Sequence, residues 1–190
     1  PDLAHAVSVL GRYVHNPSEK LWAAYDRIAK YLIKTRDFRV LFGTLDRKHG
    51  QGELYAYSDS DWGGSIDDRR STSAYTFFLG GAAISWKVKL SPTVCLSTQE
   101  AEYVGMSEAT KEALNLRMLL KQLGFGSPAP TTIYCDNHGA ITMGLHPANK
   151  PATRHIDMRR HFLRQHVELK NVTTPYVKTD GMVVDCMTKQ

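Results

Sequence analysis

The chain has 190 residues, 42% of them hydrophobic and 23% charged, enough apolar material for one ordinary core with or without a modest appendage. No apolar run reaches the roughly 18 residues that a membrane span needs, and no charged-then-apolar N-terminal stretch resembles a secretion signal. The net charge of +5 fits a polyanionic partner without establishing one, while three scattered cysteines, Cys95, Cys135 and Cys186, form no Cys-x-x-Cys pair and point to a reducing compartment.

The chain opens at Pro1 rather than Met, as a fragment of something longer would. From there to about Gly43 the pattern is helical. Leu3, Ala6, Val7, Leu10 and Val14 recur at steps of three and four, and Leu21, Trp22, Tyr25, Ile28, Ala29 and Leu32 do so again after Asn16-Pro17-Ser18. Two amphipathic helices are predicted, with Tyr13, Trp22 and Tyr25 as core, followed by a short strand at Arg39 to Phe42. Asp46 to Gly52 is polar, carries two glycines, and reads as a linker. Strands are then predicted at Glu53–Asp61, Ala74–Leu79 and Ala83–Leu90, the last two joined by a Gly80-Gly81 turn. A long helix from Thr98 to Leu123 closes at Gly124, and a strand follows at Thr132–Asp136. A short helix from His138, a basic helix from Arg154 to Lys170, a strand at Val172–Val177 and a stub from Met182 complete an α/β order.

Four acids sit where these elements could present chemistry: Asp59, Glu102, Asp136 and Asp185. An acid at a strand end is ordinarily a solvated turn residue. Glu102 is different. Met106, Ala109, Ala113, Leu116 and Leu120 form the packing stripe of the long helix, and four residues before Met106 stands Glu102. A carboxylate heading such a stripe costs several kcal/mol unless it is paired, protonated or bound to metal, and its first two turns offer no cation on that face. Glu100 has a duller explanation as the closing residue of a Ser97-x-x-Glu100 capping box, reaching back to the Ser97 N–H. Clustered carboxylates persist at neutral pH only with positive charge among them. Oxygen-only ligands favour Mg²⁺ or Mn²⁺ over zinc, and two such ions about 4 Å apart are suited to phosphodiester hydrolysis.

Six blocks carry a family resemblance. They are Tyr57-Ser58-Asp59-Ser60-Asp61-Trp62-Gly63-Gly64, Asp68-Arg69-Arg70-Ser71-Thr72-Ser73, Ser97-Thr98-Gln99-Glu100-Ala101-Glu102-Tyr103, Tyr134-Cys135-Asp136-Asn137, Arg154-His155-Ile156-Asp157-Met158-Arg159 with His161-Phe162, and Val184-Asp185-Cys186-Met187-Thr188-Lys189. In this order, over about 130 residues, they resemble the ribonuclease H of copia-type LTR retrotransposons, and the preceding helices resemble the end of that element's reverse transcriptase. The resemblance implies a ribonuclease H-like fold: a mixed five-stranded sheet flanked by helices, with an N-terminal helical appendage. It implies a helical segment over residues 1–45, a linker over 46–52 and the nuclease over 53–190. It also implies Asp59, Glu102, Asp136 and Asp185 as ligands of two Mg²⁺ or Mn²⁺ ions, and endonucleolytic cleavage of the RNA strand of RNA/DNA hybrids. The implied partners are the hybrid and the polymerase portion of the same polyprotein, with no membrane. The implied location is a cytoplasmic virus-like particle and the nucleus.

Asp61 lies on the same strand face as Asp59 and is open between supporting the ligands and touching substrate. Arg69, Arg70, Ser71, Thr72 and Ser73 combine two cations with three hydroxyls in a loop that suits phosphate and 2′-OH contacts, or is an ordinary turn. Asn137, Arg154 and His155 are further substrate candidates, and the basic helix is either a backbone-tracking surface or a solvated face. His155 and His161 find no further ligand at zinc spacing, so packing or orientation is the better reading. Two departures from the family stand out: Val183-Val184-Asp185 replaces Leu-Ala-Asp, and no histidine lies between Tyr176 and Asp185, where many ribonucleases H carry one that assists turnover. No polymerase Tyr-x-Asp-Asp motif is present. Against the ribonuclease stand a non-catalytic or domesticated binding module, which would be free to lose the acids, and a strand-transfer enzyme of the same superfold, whose glutamate sits on a later helix.

Overall fold

A computed structural model describes residues 1–43, 49, 50, 52–145 and 154–189, with the side chains of 144, 145, 154–157 and 160 left aside. The two N-terminal helices form as the periodicity predicts, α1 at Ala4–Gly11 and α2 at Glu19–Lys34. Residues 39–42 form no strand, which corrects that expectation: they enter none of the sheet's strand pairings, and Val40, Leu41 and Phe42 are exposed. Of the predicted linker, residues 46–48 and 51 lie outside the described residues. Its His49 is docked on the sheet, its ring stacked on Tyr55 at 3.7 Å between centroids.

The sheet begins with β1 (Tyr55–Asp61), β2 (Thr72–Leu79) and β3 (Ala82–Leu90), an antiparallel meander. Gly80 and Gly81, with φ of 60° and 78°, take the left-handed conformation that a two-residue hairpin matched to strand twist requires. After α3 (Thr98–Gln122), β4 (Thr131–Tyr134) and then β5 (Val172–Thr173) add in parallel on the other side of β1. The order β3-β2-β1-β4-β5 makes a mixed five-stranded sheet, as the resemblance implies. Between β4 and β5 come α4 (His138–Leu145) and α5 (Arg154–Glu168), and the C-terminus folds as 3-10 turns at Thr179–Gly181 and Val183–Met187.

The core lies between the sheet and α3. Ala56, Phe77 and Ile133 from the strands meet Tyr103, Met106, Ala109 and Ala113 from the helix, and Leu116 and Leu120 complete the predicted stripe at its edge. Gly105 lets the helix come this close: a Cβ there would stand 2.6 Å from Ser60 Oγ and 3.1 Å from Ser58 Oγ. Alternation along β1 turns Ser58 and Ser60 to the helix and Asp59 to the opposite face. That face is covered by the second 3-10 segment and α1, around Ala74, Met182, Val184 and Met187.

Tyr13, Trp22 and Tyr25 are not core, which is a second correction. Trp22 is 59% exposed and Tyr25 57%, and among the described residues of α1 and α2 none is buried. The two helices contact each other, and α1 also touches β3 and the C-terminal 3-10 segment, whereas Trp22, Tyr25, Leu32 and Ile33 of α2 stay half or more exposed.

Candidate active site

Each of the four acids is delivered by a different element to the same end of the sheet. Asp59 stands near the end of the central strand, Glu102 in the second turn of α3, Asp136 just past β4, and Asp185 in the 3-10 helix that crosses beneath β1 and β2. Asp59 is 4% exposed and Glu102 5%. Burial and the neighbouring Asp59 and Asp136 push the Glu102 carboxyl up to about 9, and burial with Asp185 and Asp136 nearby also raises Asp59. Asp59 is thus the acid that the other three neighbour.

The polar support around them is specific. Glu102 Oε1 accepts from the Ser60 N–H at 3.2 Å, Asp59 accepts from the Thr188 hydroxyl, and Asp136 accepts from Thr179 Oγ1 at 2.9 Å. Lys189 Nζ donates to Asp185 at 2.6 Å, and that carboxylate raises the Lys189 pKa. The other Asp185 oxygen is buried without a hydrogen-bond partner. Oxygen-rich, half of it buried and with one donor among these contacts for each carboxylate, the cluster suits hard divalent cations. Glu102, Cys135 and Asp136 also bring ligand atoms within 4.8 Å of one another. The Cys135 thiol is fully buried and held far above its usual pKa by that burial and by Glu102, so it is a neutral core group and no ligand for a hard ion.

The remaining predicted residues are more scattered in role. The Asp61 carboxylate lies against Gly64, where a Cβ would fall 1.6 Å from its oxygen, so that glycine is required by the turn. Arg69 has φ 56° at the tip of the loop, whereas Arg70 is held by Asp68, its Nε 2.6 Å from the carboxylate. Thr72 and Ser73 belong to β2 rather than to the loop, Ser71 and Thr72 are buried, and the Ser71 hydroxyl accepts from the Gly63 N–H. Asn137 caps α4, accepting from the Ala140 N–H at 3.0 Å. The side chains of Arg154 and His155 lie outside the described residues. At the start of α3, Ser97 accepts from the Glu100 N–H as expected, but the Glu100 carboxylate returns to the Leu96 N–H, one residue earlier than predicted.

Thr179, Thr188 and Lys189 were not singled out from sequence. A lysine four residues after an acid was visible at Lys189, yet its meaning depends on the 3-10 turn that brings it back to Asp185.

No protein-family model matches the chain. Over its whole length it is 36% identical to the retrovirus-related Pol polyprotein from transposon TNT 1-94 of Nicotiana tabacum, of which it spans 14%. It is also 36% identical to that from transposon RE2 of Arabidopsis thaliana, of which it spans 13%. A Plasmopara viticola protein named secreted RxLR effector protein 161 shares 43% identity over 114 residues, 60% of this chain and 78% of that protein. Two solved structures share the fold with a TM-score of 0.50. The N-terminal RNase H domain of a Mycobacterium tuberculosis protein, fused to maltose-binding protein, is 8% identical, with 72% of this chain and 91% of that one covered. LC11-RNase H1 in complex with RNA/DNA hybrid is 10% identical, with 69% and 89% covered.

Proposed function

The chain belongs to the retrotransposon Pol polyproteins as a domain of ribonuclease H fold, and from that premise we propose that it hydrolyses the RNA strand of RNA/DNA hybrids with two Mg²⁺ or Mn²⁺ ions. The observation that carries this reading is the convergence of Asp59, Glu102, Asp136 and Asp185, with Glu102 too deeply buried to remain a lone carboxylate. The four acids are the proposed ligands. A pair of divalent ions bound there would supply Lewis acidity at the scissile phosphate and an activated water. The chain's own groups fix the ligands: Thr188 orients Asp59, Thr179 orients Asp136, and the Ser60 N–H holds Glu102 toward β1. Lys189 neutralises Asp185 and is half exposed, so it is also proposed to meet an incoming phosphate. Arg69, Asp61 and Ser73, at the same end of β1 and β2, are the groups proposed to touch the hybrid and to sense its 2′-hydroxyls.

The element is proposed to be of copia type, with residues 1–45 as the end of the polymerase and 53–190 as the nuclease. The chain spans about one seventh of the polyproteins it matches. The polymerase portion is therefore the proposed partner for the apolar groove between α1 and α2. Among the described residues no helix is long and apolar enough to cross a membrane. The proposed setting is a cytoplasmic virus-like particle and the nucleus.

A labelled RNA/DNA hybrid, duplex DNA and single-stranded RNA, each incubated with Mg²⁺, Mn²⁺ or EDTA, test the reading. Metal-dependent cleavage confined to the RNA of the hybrid is expected. Equal cleavage of duplex DNA, or no cleavage of any substrate, would overturn it and favour a strand-transfer enzyme or a binding module respectively.

A further inference from the structure

The C-terminal 3-10 helix that carries Asp185 is a weak element by itself. It has five residues, Val183–Met187, no side-chain cap at its N-terminus, and the poor hydrogen-bond geometry of its class. Its position has to come from contacts with the rest of the chain. On the strand side Met187 is buried, its sulfur accepting from Thr76 Oγ1 at 3.0 Å, and Thr188 donates to Asp59. On the other side stands α1. Ala4 packs on the cluster formed by Ala74, Met182, Val184 and Met187, and the His5 ring meets the Met187 carbonyl, Nδ1 to O at 3.0 Å.

A carbonyl oxygen only accepts, so Nδ1 of His5 carries the hydrogen and donates it. The acceptor is a last-turn carbonyl of the kind that a helix end leaves without an internal partner. His5 therefore closes the C-terminus of the turn whose second residue before Met187 is Asp185. The next two residues are held by the same turn, the N–H groups of Thr188 and Lys189 both bonding to the Asp185 carbonyl at 3.1 and 3.0 Å. Through them the contact reaches Asp59, by the Thr188 hydroxyl, and the Asp185 carboxylate, by Lys189 Nζ.

We propose that His5, on the N-terminal helix, is a positioning residue for the acid cluster, bracing the 3-10 helix so that Asp185, Thr188 and Lys189 keep their places beside Asp59. The inference rests on the reading of Asp185 as a metal ligand. It also means that the helical segment resembling the polymerase end is structurally part of the nuclease site, and that a nuclease cut at residue 46 would lack one wall of it.

Three proteins test this: the wild type, His5→Ala, and His5→Asn, whose Nδ2 sits as many bonds from Cβ as histidine Nδ1 and can donate in its place. Mn²⁺ binding followed by calorimetry should weaken about tenfold in His5→Ala, the range typical of groups that orient metal ligands, and recover in His5→Asn. Where cleavage is measured, the Mn²⁺ requirement should rise in parallel while KM for a hybrid at saturating metal changes by less than about twofold. Amide hydrogen exchange of Thr188 and Lys189 supplies a readout independent of metal and activity, and should quicken in His5→Ala alone. Unchanged exchange and metal affinity in His5→Ala would overturn the proposal, as would an asparagine variant as impaired as alanine. If the wild type binds no metal, the functional reading fails, and the exchange rates alone decide whether His5 braces the turn.

Discussion

Two helices of this chain show how differently one pattern can end. In α3 the apolar stripe is buried against the sheet, from Ala101 to Ala113, and the helix thereby carries Glu102 into the interior. In α2 the stripe is as regular and the helix more strongly amphipathic, yet among its described residues none is buried, and Trp22, Tyr25, Leu32 and Ile33 are half or more exposed. Periodicity states which face of a helix needs a partner. It does not state that the partner lies in the same stretch of chain. For α3 the partner is β1, an earlier strand of the same chain; for α2 the described chain offers chiefly α1, with Tyr31 also bonding Asp2.

The largest effects should come from the acids that α3 and the sheet bring together. Asp59→Asn and Asp136→Asn should each reduce hybrid cleavage by two orders of magnitude or more, and Glu102→Gln by at least about a hundredfold, with the fold retained by circular dichroism. Substantial residual cleavage in any of the three would mean that the ligand set is wrong.

A metal-free titration sharpens the same point. Glu102 is raised to about 9 by its burial, and Asp59 is raised as well, so the folded state holds these protons more tightly than the unfolded chain does. Their contribution to stability is complete below the unfolded carboxyl values and is lost as pH rises toward about 9. The melting temperature in EDTA should therefore fall across that window, and Glu102→Gln should flatten the fall. With Mg²⁺ present the trend should weaken or reverse, because the ion replaces the proton. A flat profile in EDTA for the wild type would show that Glu102 is not buried in solution.

Within α3 itself, core and cap should separate cleanly. Met106→Ala removes a fully buried side chain and should cost about 2–5 kcal/mol in denaturant unfolding. Ser97→Ala removes a cap and should cost about 1 kcal/mol, whereas Glu100→Gln should cost at most about 0.5 kcal/mol and leave cleavage near normal, since glutamine can still accept from the Leu96 N–H. A Glu100→Gln protein without activity would place the metal on the wrong face of the helix.

These residues also mark how far the sequence could be read. The stripe below Glu102, the hairpin glycines and the order of elements along the chain follow local rules of period and turn chemistry, so they are legible one segment at a time. The Asp59–Thr188 and Asp185–Lys189 contacts are less so, because the first joins residues 129 apart and the second needs a 3-10 geometry that no periodicity announces. Thr72 and Ser73 look like loop in sequence because hydroxyl-rich residues serve turns and strand edges alike; pairing with Ser60 and Asp61 on one side and Lys89 and Leu90 on the other makes them strand. The exposed aromatics of α2 look like core in sequence because their pattern is that of a buried helix, and exposure is a property of what surrounds it.

The smallest expected effect tests that last reading directly. Trp22→Gln replaces a large ring that is 59% exposed, in edge contact with Tyr25 at 5.8 Å between centroids and lining the groove between α1 and α2. A side chain in a closed core would cost about 3–5 kcal/mol on truncation, but one on an open face loses little, because it was never fully removed from water. The unfolding free energy should therefore move by no more than about 0.5 kcal/mol, and cleavage by this chain should be unaffected, since Trp22 touches neither the acids nor the 3-10 helix that carries Asp185. In a longer polyprotein that includes the polymerase portion, the same change should weaken association of the two parts, read as a loss of cooperativity in their unfolding. A loss of several kcal/mol in the chain alone would show instead that α1 and α2 close on each other in solution, and the contrast between the two helices would disappear.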